Sequence, residues 1–138
     1  MPKLFGLNVV AVLAAAIAFY VLGYVWYAVL FESQWLTAIA MTKSQTEAAM
    51  SPMWMGVGAL ITIAQVVGIA LVLKWRNAAT LVSAVGTSGV IWLVLGLPIV
   101  AYAYAYMPAH SEMLLAIDGA HLLLGWALSA AILSLLKV

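Results

Sequence analysis

Leu7-Asn8-Val9-Val10-Ala11-Val12-Leu13-Ala14-Ala15-Ala16-Ile17-Ala18-Phe19-Tyr20-Val21-Leu22-Gly23-Tyr24-Val25-Trp26-Tyr27-Ala28-Val29-Leu30-Phe31 contains no charged side chain. At ~1.5 Å rise per residue the run makes a helix of ~37 Å, enough to cross a ~30 Å hydrocarbon core with some tilt. Lys3 ahead of it and the small residues Ala14, Ala16 and Ala18 give a loose signal-peptide pattern. The run outlasts a signal core of ~7–15 apolar residues, so it reads as a retained span. Gly23, Tyr24, Trp26, Tyr27 and Phe31 stand toward its far end, with Trp35 one turn beyond. Rings with a polar tip settle where hydrocarbon meets headgroups, so Trp26, Tyr27 and Trp35 are expected to set the depth of the span. Helical spacing places Tyr20, Tyr24, Tyr27 and Phe31 at i, i+4, i+7 and i+11, on one face. That aromatic face either packs against neighbouring helices and anchors the span, or lines a pocket for an organic cation at ~0.5–2 kcal/mol per ring.

The rest of the chain has the same character. Of 138 residues, 68 % are hydrophobic and 7 % charged, with mean hydropathy +1.20, against roughly 45–50 % and 25 % in a soluble domain. Such a chain has no surface to offer water, and its first partner is a lipid bilayer. The length suits a single membrane domain over residues 1–138. A net charge of +1 leaves no basic patch for nucleic acid. With no cysteine, disulfides, thiolate metal sites and cysteine nucleophiles are excluded.

Working outward, the expected spans are about 7–31, 53–73, 78–106 and 112–136, an all-α four-helix membrane bundle. The segment 32–52 is the one sizeable polar stretch. Its apolar positions Trp35, Leu36, Ile39 and Ala40 fit a short helix lying in the interface between spans 1 and 2. Ser44-Gln45-Thr46-Glu47 has the capping-box pattern, and Ser51-Pro52 reads as the cap and first residue of span 2. Asn77 is a natural cap for span 3, Pro98 is expected to kink that span, and Ser111 caps span 4. Gly125 and Ser129 form a small-x-x-x-small face on which another helix can come close. Gln65, near the middle of span 2, needs a hydrogen bond from a neighbouring helix. Lys3, Lys74, Arg76 and Lys137 fall on one side of this arrangement and Lys43 alone on the other, which predicts cytoplasmic N and C termini and an external 32–52 segment. Leu22-Gly23 and Leu95-Gly96 both precede aromatic residues, but little else aligns as an internal repeat.

Asp118 and His121 are the informative polar pair, three residues apart on one face of span 4. An ionisable group inside a span costs ~2.5–3.5 kcal/mol at the bilayer centre and less near the edge, so it marks a candidate site. The pair either shares a proton, with the carboxylate orienting the imidazole, or ties the helix to a neighbour. Gln65, Tyr24, Tyr27 and Trp26 complete the candidate polar, proton or ligand site. His110, Glu112, Asp118 and His121 have the residue types of a metal site, but no ligand-spacing motif accompanies them and no cofactor is expected. No nucleophile elbow, phosphate loop or dinucleotide fingerprint is present, and the chain is not expected to be an enzyme.

Gly23-x-x-Trp26-Tyr27 with Phe31 and Trp35, together with Asp118-Gly119-x-His121, resembles a family of small bacterial four-span membrane proteins catalogued as a domain of unknown function. The resemblance covers nearly the whole chain and is strongest from Gly23 to Trp35. Family members commonly carry Ser-Pro after the Trp-Tyr pair, where this chain has Ala28-Val29. The resemblance implies a multi-pass protein of the bacterial inner membrane and implies no reaction. Two functions stand beside each other: a non-enzymatic structural or interaction unit forming homo-oligomers, and a small transporter or channel with an outward-facing vestibule around Asp118 and His121. The small multidrug-resistance transporters are similar in size and span count. They carry a first-span glutamate, which is missing between Leu7 and Phe31.

Overall fold

The computed structural model describes residues 2–138. Asn8 decides where the first span begins. Its side-chain oxygen accepts the N–H groups of Val10 at 3.1 Å and Ala11 at 3.4 Å, so helix α1 starts at Val9, two residues later than the apolar run. Leu7 and Asn8 instead form strand β2, antiparallel to β1 at Lys3–Leu4, around a turn with positive φ at Phe5 and Gly6.

α1 (Val9–Tyr24) continues through a π-helical turn, Val25–Leu30, and stops at Phe31. Short helices α2 (Glu32–Ala38) and α3 (Lys43–Ala49) follow. α4 (Pro52–Trp75) is the second span. The third consists of α5 (Leu81–Ile91), a second π-helical turn (Trp92–Gly96) and α6 (Leu97–Tyr106). α7 (Glu112–Leu135) is the fourth. Val9–Leu30, Pro52–Trp75, Leu81–Tyr106 and Glu112–Leu135 are each long and apolar enough to cross a membrane, in line with the all-α expectation.

The caps follow the sequence at two ends and depart from it at two others. Ser51 accepts from the Trp54 N–H with Pro52 next to it, and Ser111 accepts from the Leu114 N–H. The capping box, however, is Thr42 with Gln45, not Ser44 with Glu47. Gln45 Oε1 accepts the Thr42 N–H at 2.8 Å while Thr42 Oγ1 accepts the Gln45 N–H at 3.3 Å. Glutamine serves this reciprocal pair as well as glutamate does, so α3 can start earlier, with Ser44 inside its first turn. Asn77 does not cap α5. It takes φ +56 in the turn after α4, a left-handed conformation that asparagine tolerates, and Thr80 caps instead by accepting from the Ser83 N–H.

Pro98 disturbs the third span one turn ahead of itself. A proline ring collides with the carbonyl four residues earlier, here Val94, and Val94 lies within the wide turn Trp92–Gly96. The helix thus accommodates the ring by widening.

α7 is the shared wall of the molecule, with α1 on one flank, α5 on another, and α4 against both α1 and α7. Alanines make this possible: Ala11 and Ala15 of α1, Ala70 of α4 and Ala130 of α7 are fully buried, letting backbones approach where no hydrophobic force acts between helices in lipid. Large residues such as Ile17, Leu60 and Val82 point outward, as lipid-facing positions do. Lys3, Lys74, Arg76 and Lys137, four of the five basic residues, collect at one end. Lys74 Nζ donates to the Gly6 carbonyl at 2.7 Å and Asn8 Nδ2 to the Leu136 carbonyl at 3.0 Å, which gathers the hairpin, the α4–α5 turn and the C-terminal residues. Lys43 lies in the 32–52 segment and pairs with Glu32 at 3.2 Å. That hydrogen bond raises the Lys43 pKa, although an exposed pair of this kind adds little stability.

Candidate functional site

The first wide turn delivers two neighbouring side chains to α7. Trp26 Nε1 donates to the Ile117 carbonyl at 3.0 Å, and Tyr27 OH donates to Asp118 Oδ1 at 2.6 Å. The second wide turn does the same from the other flank, where Trp92 Nε1 donates to the Gly119 carbonyl at 2.9 Å. Two indoles therefore hold the carbonyls on either side of Asp118. An indole N–H in hydrocarbon must find an acceptor. A tryptophan in mid-span was the signal that could have added Trp92 to the sequence-predicted set.

The expected aromatic face does not form. Tyr20 OH donates to the Met55 carbonyl on α4, Tyr24 is 67 % exposed, Tyr27 faces Asp118, and Phe31 lies 4.6 Å from the Trp26 ring. The cause is the π-helical turn, which accommodates an extra residue and rotates the later rings away from the 3.6-residue register. Tyr24, in the regular helix ahead of that turn, points outward and falls outside the site, while Tyr27 and Trp26 are central to it.

Asp118 and His121 share a helix face but make no hydrogen bond to each other. Tyr27 takes the carboxylate, and its ring stands edge-on to the imidazole with centroids 5.0 Å apart. The imidazole also lies against Phe19 at 5.4 Å and Trp26 at 6.4 Å. Its Nε2 is buried with no hydrogen-bond partner, facing Gly23, where an added Cβ would come within 3.3 Å. The proton-sharing pair read from the spacing is thus replaced by a Tyr27–Asp118 pair and a separate, ring-packed histidine.

Gln65 does find its inter-helix bond, but with Trp126, whose Nε1 donates to Gln65 Oε1 at 2.8 Å. It ties α4 to α7 deeper in the bundle and does not join Asp118. Below His121, Phe19 fills the notch left by Gly125, and Ser129, fully buried, donates to the Gly125 carbonyl at 2.7 Å. The small-x-x-x-small face is therefore occupied from within the chain.

The possible metal ligands do not assemble. His110 Nδ1 bonds the Tyr104 carbonyl at 2.8 Å and His121 is enclosed by rings. Glu112 sits in the first turn of α7, where the helix dipole favours a carboxylate. Among the described residues no three His, Asp or Glu side chains converge as a metal site requires.

Asp118 instead opens onto a cavity of ≈140 Å³ between the end of α2, α6 and the first turns of α7, and it is the furthest along α7 of the residues lining it. Ile39, Val100, Leu114 and Leu115 line it, together with Tyr104 and Ser111.

Four apolar spans, pinned through mid-helix phenol and indole hydrogen bonds, define a multi-pass helical membrane protein. The chain belongs to the family described as "Protein of unknown function (DUF1761)", which it matches over residues 10–134. That range includes both Gly23–Trp35 and Asp118–His121, the stretches on which the resemblance rested. No curated protein and no solved structure is detectably similar to it.

Proposed function

We propose that the protein is a non-enzymatic membrane protein that binds a small solute from the end of the bundle bearing α2 and α3, with Asp118 as the polar anchor. One observation carries this reading: a carboxylate inside a span, oriented by Tyr27 at 2.6 Å, also borders a cavity. Ionisable residues at such depth are retained for function more often than for stability. The Phe19–Gly125 contact and the buried Ser129 fill the bundle beneath, which favours binding from one side over a continuous channel. The excess of basic residues at the opposite end supports an orientation with the cavity on the outer face of a bacterial inner membrane, and Trp35 and Leu36 suit α2 to the interface. A panel of small amines, alcohols and carboxylates added to the protein in lipid nanodiscs tests the reading by thermal unfolding. At least one class should stabilise the wild type and lose its effect in Asp118→Asn; a panel with no stabilising member sinks the idea.

A second reading, self-association, rests on different residues. Gly68 on α4 and Gly86 and Gly89 on α5 have nothing within 4 Å of where a Cβ would stand. Glycine inside a span is commonly placed where another helix approaches, and a second copy is the simplest source of one. Crosslinking in native membranes should then trap a defined homo-oligomer that Gly86→Leu disperses, and a strictly monomeric pattern would count against it.

A further inference from the structure

We infer that the Asp118 cavity takes a small primary ammonium ion with a short alkyl body, of about the size of butylammonium. The inference rests on the cavity being a binding site, and it adds the chemical class of the ligand.

Charge comes first. Asp118 is the one ionisable acid or base lining the cavity apart from the weakly acidic phenol of Tyr104. Its Oδ1 accepts a hydrogen bond from Tyr27, which orients the carboxylate. The ion pair among the described residues is Lys43 with Glu32, so no basic side chain of this chain is held against Asp118. A buried charge is ordinarily matched by an opposite one, and here the cavity is where the match can enter.

The backbone adds to this preference. α2 ends at Ala38 and α6 at Tyr106, and the residues lining the cavity from these elements, Ala38–Ala40 and Ala103, Tyr104 and Met107, belong to their C-terminal turns. The Ala103 and Tyr104 carbonyls are already bonded to Met107 N–H and His110, so what these ends contribute is the negative partial charge of a helix C-terminus, which favours a cation. The N-terminal turn of α7 works in the other direction through Ser111, but Glu112 in that turn offsets it.

The walls then select the body of the ligand. Ile39, Val100, Leu114 and Leu115 offer apolar surface suited to an alkyl chain. A cavity of about 150 Å³ accommodates a benzene-sized molecule, and the ≈140 Å³ here sets the same limit. A hydrated metal ion would leave that apolar surface unmatched, and a quaternary ammonium could not donate a hydrogen bond to the carboxylate.

The test uses the full chain in zwitterionic-lipid nanodiscs, so that amines do not collect on anionic headgroups. Butylammonium, 1-butanol and butyrate are titrated by calorimetry against the wild type, Asp118→Asn and the wall variant Ala103→Phe. Asparagine still accepts from Tyr27, so the first variant keeps the helix contact. Butylammonium should bind the wild type at least about tenfold more tightly than it binds Asp118→Asn, a loss typical of a broken charge-assisted hydrogen bond. Ala103→Phe should block it, and butyrate should not bind. If butanol binds as well as butylammonium and Ala103→Phe abolishes both, the cavity is a binding site but the cation assignment is overturned. If butylammonium binds all three proteins alike, it sits elsewhere and the inference is likewise lost. If none of the three probes binds the wild type, the inference fails, while solutes of other classes still test the broader reading.

Discussion

Phe19 of α1 packs directly against Gly125 of α7. A Cβ on residue 125 would overlap three atoms of the Phe19 ring, and that ring is 3 % exposed, with no route outward. Gly125→Val should therefore destabilise the protein by the ~1–3 kcal/mol of an overpacked core, or more. Thermal unfolding in detergent should show the loss, and Phe19→Ala in the same chain should recover part of it; an unchanged midpoint for the single variant would mean that the helices can slide apart. Gly96 is a milder case, since its Cβ would stand 3.0 Å from Leu122 and 3.1 Å from Trp126. At this scale the sequence was only partly legible. That Gln65 needed a partner followed from its depth, but that the partner is Trp126, while Asp118 goes to Tyr27 and His121 to a ring cluster, did not. Residues three apart on one helix share a face, yet which of them touch depends on what the facing helix inserts between them.

Two wide turns distinguish the elements of this fold from four plain helices. Each carries a tryptophan that donates to α7, Trp26 to the carbonyl of Ile117 and Trp92 to that of Gly119. Together they brace the turn of α7 that holds Asp118. If each indole bond is worth ~0.5–1.5 kcal/mol net, Trp26→Phe or Trp92→Phe should speed amide exchange across residues 116–122 by about two- to tenfold. Hydrogen exchange read by mass spectrometry would check this, and unchanged protection in both variants would show that packing alone holds α7. The second wide turn is traceable to Pro98, one turn downstream. The first has no proline or paired small residues to announce it. This is why a face of four rings was expected where the structure distributes them among α4, α7 and the surface.

Over the whole molecule, four of the five positive side chains lie at the end opposite the cavity, and the fifth, Lys43, is paired with Glu32. Lys74 reaches the N-terminal hairpin and Asn8 the end of α7, while α2, α6 and Asp118 form the other end. With cytoplasmic termini, a membrane-impermeant thiol reagent applied to intact cells should label Ser44→Cys and His110→Cys and leave Lys137→Cys untouched until the membrane is opened. Labelling of the C-terminal position instead would invert the molecule and turn the cavity toward the cytoplasm.

What the amino-acid sequence determined alone is the helical class, the four spans and the caps at Ser51 and Ser111. These follow from length, hydropathy and local hydrogen bonding, each of which acts within a few turns of the chain. Only the tertiary structure decided that Tyr27 bonds Asp118 while its ring packs on His121, that Phe19 fills the Gly125 notch, and that a cavity remains beside Asp118. Those outcomes depend on how far two helices are rotated against a third. In lipid that rotation is set by close packing and by the few available hydrogen bonds, not by any periodicity within one helix.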